Sequence, residues 1–96
     1  MGNDFMEKLS FDEVSVKMAN APGWEFSNDS LIKKFRFDSF KEAINFVNSV
    51  ALISEEMDHH PNIIVNYNIV TLNISTHSAG GVTNKDFVLV EKIESL

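Results

Sequence analysis

The segment from Ser39 to Pro61 constrains the fold more than any other part of this 96-residue chain. Ser39 with Glu42 has the spacing of a capping box, which begins helices. Apolar residues then recur at three- and four-residue steps as far as Met57, as they do along one face of a helix. Pro61 cannot continue a helix and disfavours helical geometry in the residue before it. The segment therefore predicts a helix of about 18 residues that ends near Asp58–His59.

Shorter elements flank this long helix. Capping patterns at Ser10–Glu13 and Thr83–Asp86 predict two further helices. Pro22-Gly23 ends the first of them, and the last is expected to run from Asn84 to about Ser95. Alternating or β-branched apolar runs bounded by turn residues predict four strands. These strands are Trp24–Ser27, Leu31–Phe37, Ile63–Tyr67 and Val70–Thr76.

The order of the predicted elements is α-β-β-α-β-β-α, which is typical of the α+β class. We expect a four-stranded antiparallel sheet with the three helices packed on one face. The first two strands are expected to form a hairpin through the turn residues Asn28-Asp29-Ser30, and the last two are expected to pair around a turn at Asn68. A chain of this length forms one domain, so residues 1–96 are predicted to be a single domain in which residues 1–8 are a flexible tail.

Composition excludes several classes of function. A net charge of −6 argues against a phosphate-binding surface, so we expect no direct nucleic-acid binding. The chain has no cysteine, which excludes disulfides and thiolate chemistry and fits a reducing compartment. No apolar run approaches the ~18 residues of a membrane span. We therefore expect a cytoplasmic protein without a membrane segment.

All three histidines lie between Glu55 and Asp86, namely His59, His60 and His77. Histidine suits proton transfer near neutral pH because its unperturbed pKa is about 6.5. The two strands that separate the histidine pair from the third histidine are expected to be antiparallel neighbours. Their far ends then meet, so the three histidines are predicted to converge in one cleft.

Several kinds of site fit the histidines to different degrees. A zinc ion could be bound by the histidines together with Asp58, Asp86 or Glu55. The usual spacings of zinc ligands are missing, however, so we expect no metal. No serine has the surroundings of a nucleophile elbow, and no Gly-rich turn suited to phosphate opens a helix. Two interpretations stay open from the residues alone. One is cofactor-free general acid–base catalysis, and the other is a binding or structural domain.

The long helix also bears on assembly. Phe46 and Ile53 widen its apolar arc beyond what one sheet face requires. The helix is therefore either deeply packed in the core or in contact with a second subunit. Because an open sheet also leaves unpaired edges, we predict a symmetric homodimer or homotetramer.

A set of fixed spacings in the chain resembles the signature of the pterin-4a-carbinolamine dehydratase family. The matching residues are Glu55, His59-His60-Pro61, Tyr67, His77 and Asp86. The resemblance extends outward to Pro22-Gly23-Trp24 before the first strand and covers roughly residues 9 to 95.

The resemblance implies a lyase that dehydrates 4a-hydroxytetrahydrobiopterin to quinonoid dihydropterin and so supports tetrahydrobiopterin recycling. It implies that His59 and His77 carry protons, that His60 binds substrate and assists, and that no metal or organic cofactor is needed. Glu55 and Asp86 are expected to orient the histidines. The residues expected to line the pterin are Asp58, His59, His60, Ser75, Thr76, His77 and Ser78.

A second function also follows from the resemblance. Some animal members act as dimerisation cofactors for a transcription factor, so the alternative is a non-catalytic interaction protein that uses its helical face. The complete histidine set favours the enzyme, because a scaffold needs no histidine at a separate strand end.

Overall fold

A computed structural model describes residues 7–96, and the first six residues of the predicted tail lie outside that range. Within it, the elements follow the predicted order and confirm the α+β class. The helices are α1 (Phe11–Lys17), α2 (Phe40–Met57) and α3 (Asn84–Glu94). The strands are β1 (Glu25–Ser27), β2 (Ser30–Arg36), β3 (Asn62–Asn66) and β4 (Ile69–Ile74), and short 3₁₀ turns occupy Met18–Asn20 and His77–Ala79.

The four strands form one antiparallel sheet in the order β1-β2-β4-β3. The two predicted hairpins are both present, and β2 joins them by pairing with β4. Asn62 at the start of β3 lies opposite Asn73 near the end of β4. The residues before β3 and those after β4 therefore leave the sheet at the same edge.

The hydrophobic core lies on one face of this sheet. Successive side chains of a strand point to opposite faces, and Val70, Leu72 and Ile74 of β4 are fully buried on the inner one. Each of the three helices contributes to the same cluster, as predicted. Its buried helical residues are Val14 of α1, Ala43 and Val50 of α2, and Leu89, Val90 and Ile93 of α3.

The C-terminus of α2 turns the chain sharply. The backbone N–H of Asp58 donates to the Glu55 carbonyl, and that of His59 donates to the Ser54 carbonyl at 3.0 Å. Asp58 adopts the left-handed conformation, with φ of +51°. This is the geometry of a Schellman cap, which satisfies the last carbonyls and redirects the chain. It confirms the predicted end of the helix and places the two adjacent histidines just beyond it.

The wide apolar arc of α2 is partly explained by the core. Phe46 packs against Phe35 and Phe37 of the β2 region, with ring centroids 4.7 and 5.0 Å away, and Ile53 also packs on the core cluster. Phe40 and Leu52 stay largely exposed. No helix within residues 7–96 has both the length and the apolar character required to cross a bilayer.

Candidate functional site

A cavity of about 390 Å³ opens where α2 ends, β3 begins and the segment after β4 passes. Its volume lies in the range of small-molecule sites, roughly 300–1,000 Å³. All seven residues predicted to line a pterin site line it, together with one lysine. The lining residues are Asp58, His59, His60, Ser75, Thr76, His77, Ser78 and Lys85.

Volume alone does not single out this cavity. Two others of about 430 and 440 Å³ lie elsewhere on the described part of the molecule, and neither is lined by a histidine. Only the cavity at the end of α2 gathers three side chains that can take up and release protons near neutral pH. Its chemistry therefore makes it the candidate site.

His59 is held by a buried carboxylate. Its Nε2 lies 2.5 Å from Oδ1 of Asp86. The Asp86 side chain is fully buried, and the His59 side chain is only 10% exposed. His59 therefore lines the cavity while most of its side chain is buried, because α3 packs its first turn directly against the ring.

The second oxygen of Asp86 is also occupied. Oδ2 accepts hydrogen bonds from the hydroxyl of Thr76 and from the backbone N–H of Thr83, both at 2.8 Å. The second of these belongs to the capping box predicted for α3, which is confirmed. A buried carboxylate is tolerated when its lone pairs are satisfied in this way, and the positive end of a helix dipole stabilises it further.

These contacts assign the tautomer of His59. An ionised carboxylate only accepts hydrogen bonds, so Nε2 of His59 carries the proton and a neutral ring keeps its lone pair on Nδ1. Within the described residues Nδ1 has no hydrogen-bond partner, and no buried side-chain nitrogen or oxygen there lacks one. Nδ1 is therefore accessible to solvent, and the residue that carries it lines the cavity.

His60 has a carboxylate partner as well. Its Nε2 lies 2.5 Å from Oε2 of Glu55, which comes from the last turn of α2. This pair is on the surface, with side chains 54% and 76% exposed. Glu55 and Asp86 thus each contact one histidine, although neither lines the cavity.

The third histidine sits on a closed loop. Thr76 and Gly81 form an isolated bridge, and the carbonyl of Thr76 accepts from the backbone N–H groups of Ala79 and Gly80. Gly80 takes a left-handed conformation, with φ of +74°, that glycine adopts without strain. His77 begins the 3₁₀ turn inside this loop and is exposed on the cavity.

Tyr67 of the sequence signature is not part of the cavity. It occupies the β3–β4 turn with φ of +54°, and five residues of extended chain separate it from the cavity end of β3, about 16 Å.

Sequence reasoning missed Lys85 as a lining residue and treated Thr83 only as a helix cap. Their proximity to Asp86 in the sequence was the available signal. Residues 7–96 contain no cluster of three or more metal-ligating side chains.

Comparisons with known proteins point to one family. The sequence profile of a family described as pterin 4 alpha carbinolamine dehydratase matches residues 7–96. A protein of Sulfolobus acidocaldarius, provisionally named pterin-4-alpha-carbinolamine dehydratase, is 45% identical over 93% of this chain and 98% of its own length. One from Chloroflexus aurantiacus with the same provisional name is 41% identical over 95% and 98%.

Two solved structures of related description also superpose on this chain. A Brucella melitensis protein described as a transcriptional coactivator/pterin dehydratase superposes with a TM-score of 0.89 at 30% identity, covering 93% of this chain and 97% of its own. A pterin dehydratase-like protein, described as a RuBisCO assembly factor in the alpha-carboxysome, superposes with a TM-score of 0.62 at 20% identity over 75% and 83%. The latter shows likeness of fold.

Proposed function

Because the chain belongs to the pterin 4 alpha carbinolamine dehydratase family, we propose that it removes water from a pterin-4a-carbinolamine. The proposed substrate is 4a-hydroxytetrahydrobiopterin, and the proposed product is quinonoid dihydropterin, which feeds tetrahydrobiopterin recycling. The observation that carries this proposal is the single cavity that His59, His60 and His77 line together.

The reaction is an elimination. The bond between C4a and the hydroxyl oxygen breaks, the proton on N5 is removed, and a double bond forms between C4a and N5. The departing hydroxyl gains a proton and leaves as water. One group must accept a proton while another supplies one, which is the task of a general base and a general acid on two sides of a small substrate.

His59 is suited to be the base. Its Nδ1 lone pair is accessible, and Asp86 on the other ring nitrogen stabilises the imidazolium that forms when a proton is accepted. His77 reaches the same cavity from the loop after β4 and is suited to protonate the leaving hydroxyl. This division follows the roles that the family resemblance implies and adds a direction to them.

His60 is proposed to bind the substrate and assist. Its ring is exposed at the cavity and already paired with Glu55. Asp58, Ser75 and Ser78 supply further polar lining for the pterin. Thr76 contributes differently, because its hydroxyl donates a hydrogen bond to Asp86.

Substitution of the histidines tests this proposal. Positioned acid–base groups typically contribute 10²–10⁴-fold each, so His59→Ala and His77→Ala are expected to lower kcat by about that factor. His60→Ala is expected mainly to raise KM. The assay follows absorbance during dehydration of an enzymatically generated 4a-hydroxytetrahydropterin.

A matched variant separates chemistry from packing at His59. His59→Gln keeps an N–H donor for Asp86 but has no basic nitrogen, so it is expected to stay folded and to lose activity as His59→Ala does. Wild-type rates in folded His59→Gln and His77→Ala would refute the acid–base assignment.

A second candidate function is a non-catalytic interaction protein that uses the helical face. Phe40 and Leu52 on α2 are 52% and 69% exposed, which favours it, and the Brucella relative is described with both roles. Histidine variants that leave the rate unchanged would favour this alternative.

The proposal includes self-association as a homodimer or homotetramer. β1 pairs with only the first three residues of β2, and β3 is the opposite edge of the sheet. Such edges and the exposed apolar residues of α2 are suited to contact a second copy. A monomer mass by light scattering at micromolar concentration would refute this part.

A further inference from the structure

Thr83 is fully buried next to the candidate site but does not line the cavity. As the N-cap of α3, its Oγ1 accepts a hydrogen bond from the backbone N–H of Lys85 at 3.2 Å. The same Oγ1 lies 2.7 Å from Oγ1 of Thr76. Helix capping requires only the first contact, so the second points to another role.

The hydrogen bonds around Thr76 have one possible direction. The Thr76 hydroxyl donates its proton to Oδ2 of Asp86. A hydroxyl has a single proton, so toward Thr83 the Thr76 oxygen can only accept. The Thr83 hydroxyl therefore donates to Thr76, and a buried one-way chain runs from Thr83 through Thr76 to Asp86.

Thr83 thus acts on Asp86 twice, through its backbone N–H and through Thr76. Both donors converge on Oδ2, which fixes the orientation of the carboxylate and leaves Oδ1 for His59. Orientation by a hydrogen-bonded partner is what selects the tautomer of a functional imidazole.

We propose that Thr83 is a positioning residue for His59. Its hydroxyl and N–H hold Asp86 so that the proton of His59 stays on Nε2 and the Nδ1 lone pair stays available to the substrate. This inference rests on the proposed function and extends it, because it makes the N-cap of α3 part of the catalytic arrangement.

Removing the hydroxyl while keeping the shape tests the inference. Thr83→Val removes the hydroxyl that donates to the Thr76 oxygen but keeps the backbone N–H that donates to Asp86. Thr76 can then reorient, and the carboxylate of Asp86 is held less firmly. We expect a mixture of His59 tautomers and a loss of about tenfold in kcat with little change in KM, since partners that orient a functional histidine are typically worth 10–100-fold. Thr83→Ser keeps the hydroxyl and is expected to retain the wild-type tautomer of His59 and the wild-type kcat.

Controls separate positioning from capping. Ser10→Ala removes a cap of the same kind from α1, where Ser10 Oγ accepts from the N–H of Glu13 at 3.1 Å. It is expected to reduce stability while leaving kcat and the His59 tautomer unchanged. Thr76→Val breaks the chain without removing the Thr83 cap, so it tests the inference even if Thr83→Val fails to fold.

Two independent measurements decide the outcome. Long-range ¹H–¹⁵N correlation spectra report which ring nitrogen of His59 is protonated, with His59→Gln used to assign the signals, and steady-state assays report kcat and KM. The inference is overturned if the folded hydroxyl-lacking variants keep the Nε2–H tautomer, or if the tautomer changes while kcat does not. An inactive wild-type protein would instead refute the proposed function, and the tautomer measurement would still judge the effect of Thr83 on His59.

Discussion

The two carboxylate–histidine pairs of the candidate site each join Nε2 of a histidine to a carboxylate oxygen at the same distance, yet their surroundings differ. Nε2 of His59 and Nε2 of His60 each lie 2.5 Å from a carboxylate oxygen. The His59–Asp86 pair is buried and joins residues 27 apart, whereas the His60–Glu55 pair is exposed and joins residues five apart.

This difference decides what each pair can contribute. An exposed ion pair competes with water and is worth about 0–1 kcal/mol. A buried carboxylate stripped of its partners costs several kcal/mol, so it stays only where every lone pair is satisfied. The buried pair can therefore fix one tautomer, while the exposed pair allows its histidine to reorient.

Asp86→Asn is expected to have the largest effect. The amide can present an N–H to Nε2 of His59 and so favour the opposite tautomer. We expect kcat to fall by about 10²–10⁴-fold and the free energy of unfolding to fall by roughly 1–3 kcal/mol. Dehydration assays and urea denaturation measure the two effects.

A matched substitution in α1 tests whether loss of a helix cap alone explains the effect of Asp86→Asn. Glu13 occupies the same position in the capping box of α1 as Asp86 does in α3. Glu13→Gln is expected to leave kcat unchanged. An Asp86→Asn protein that was as active as Glu13→Gln would contradict the importance assigned to the buried pair.

Glu55→Gln is expected to have a much smaller effect. Because solvent can replace this partner, kcat should fall by no more than about fivefold, and the free energy of unfolding should change by less than about 1 kcal/mol. The expected effect should also shrink with added salt. A loss of activity as large as that of Asp86→Asn would mean that the exposed pair carries the chemistry, with His60 as a main proton carrier.

A third ion pair of intermediate exposure gives the smallest expected effect and a dependence on pH. Burial raises the pKa of Glu94, but hydrogen bonds from Lys33 and from Trp24 Nε1 outweigh it and hold the pKa below its usual value of 4.5. A lowered folded-state pKa stabilises the protein above the unfolded pKa, and this contribution is lost as the pH falls through the folded value.

Glu94→Gln should therefore lower stability near pH 7, by less than about 1 kcal/mol because the pair is partly exposed. Below a pH of about 4.5 the difference from the wild type should shrink. Urea denaturation at both pH values, followed by the fluorescence of the only tryptophan, measures it. A difference independent of pH would show that hydrogen-bond geometry rather than charge matters here.

Local signals in the sequence were enough for most of the fold. Ser10 with Glu13, Thr83 with Asp86, and Pro61 act within one turn of chain, so helix starts and the end of α2 followed from them. The two hairpins, β1–β2 and β3–β4, followed from short connections, whereas β2 pairs with β4 across the intervening α2 and β3. The box predicted at Ser39 formed only in half, because the Glu42 carboxylate accepts from the N–H of Asp38.

Most residues that line the candidate cavity were also within reach of the sequence, because the histidine pair before Pro61 and the third histidine after β4 lie at the same end of one hairpin. What only the tertiary structure decided is which of two adjacent histidines is buried, and which carboxylate each one meets. Asp86 reaches His59 because α3 packs its capped N-terminus against the end of α2. Burial and hydrogen-bond direction depend on that packing of distant segments, and no local pattern of residues encodes them.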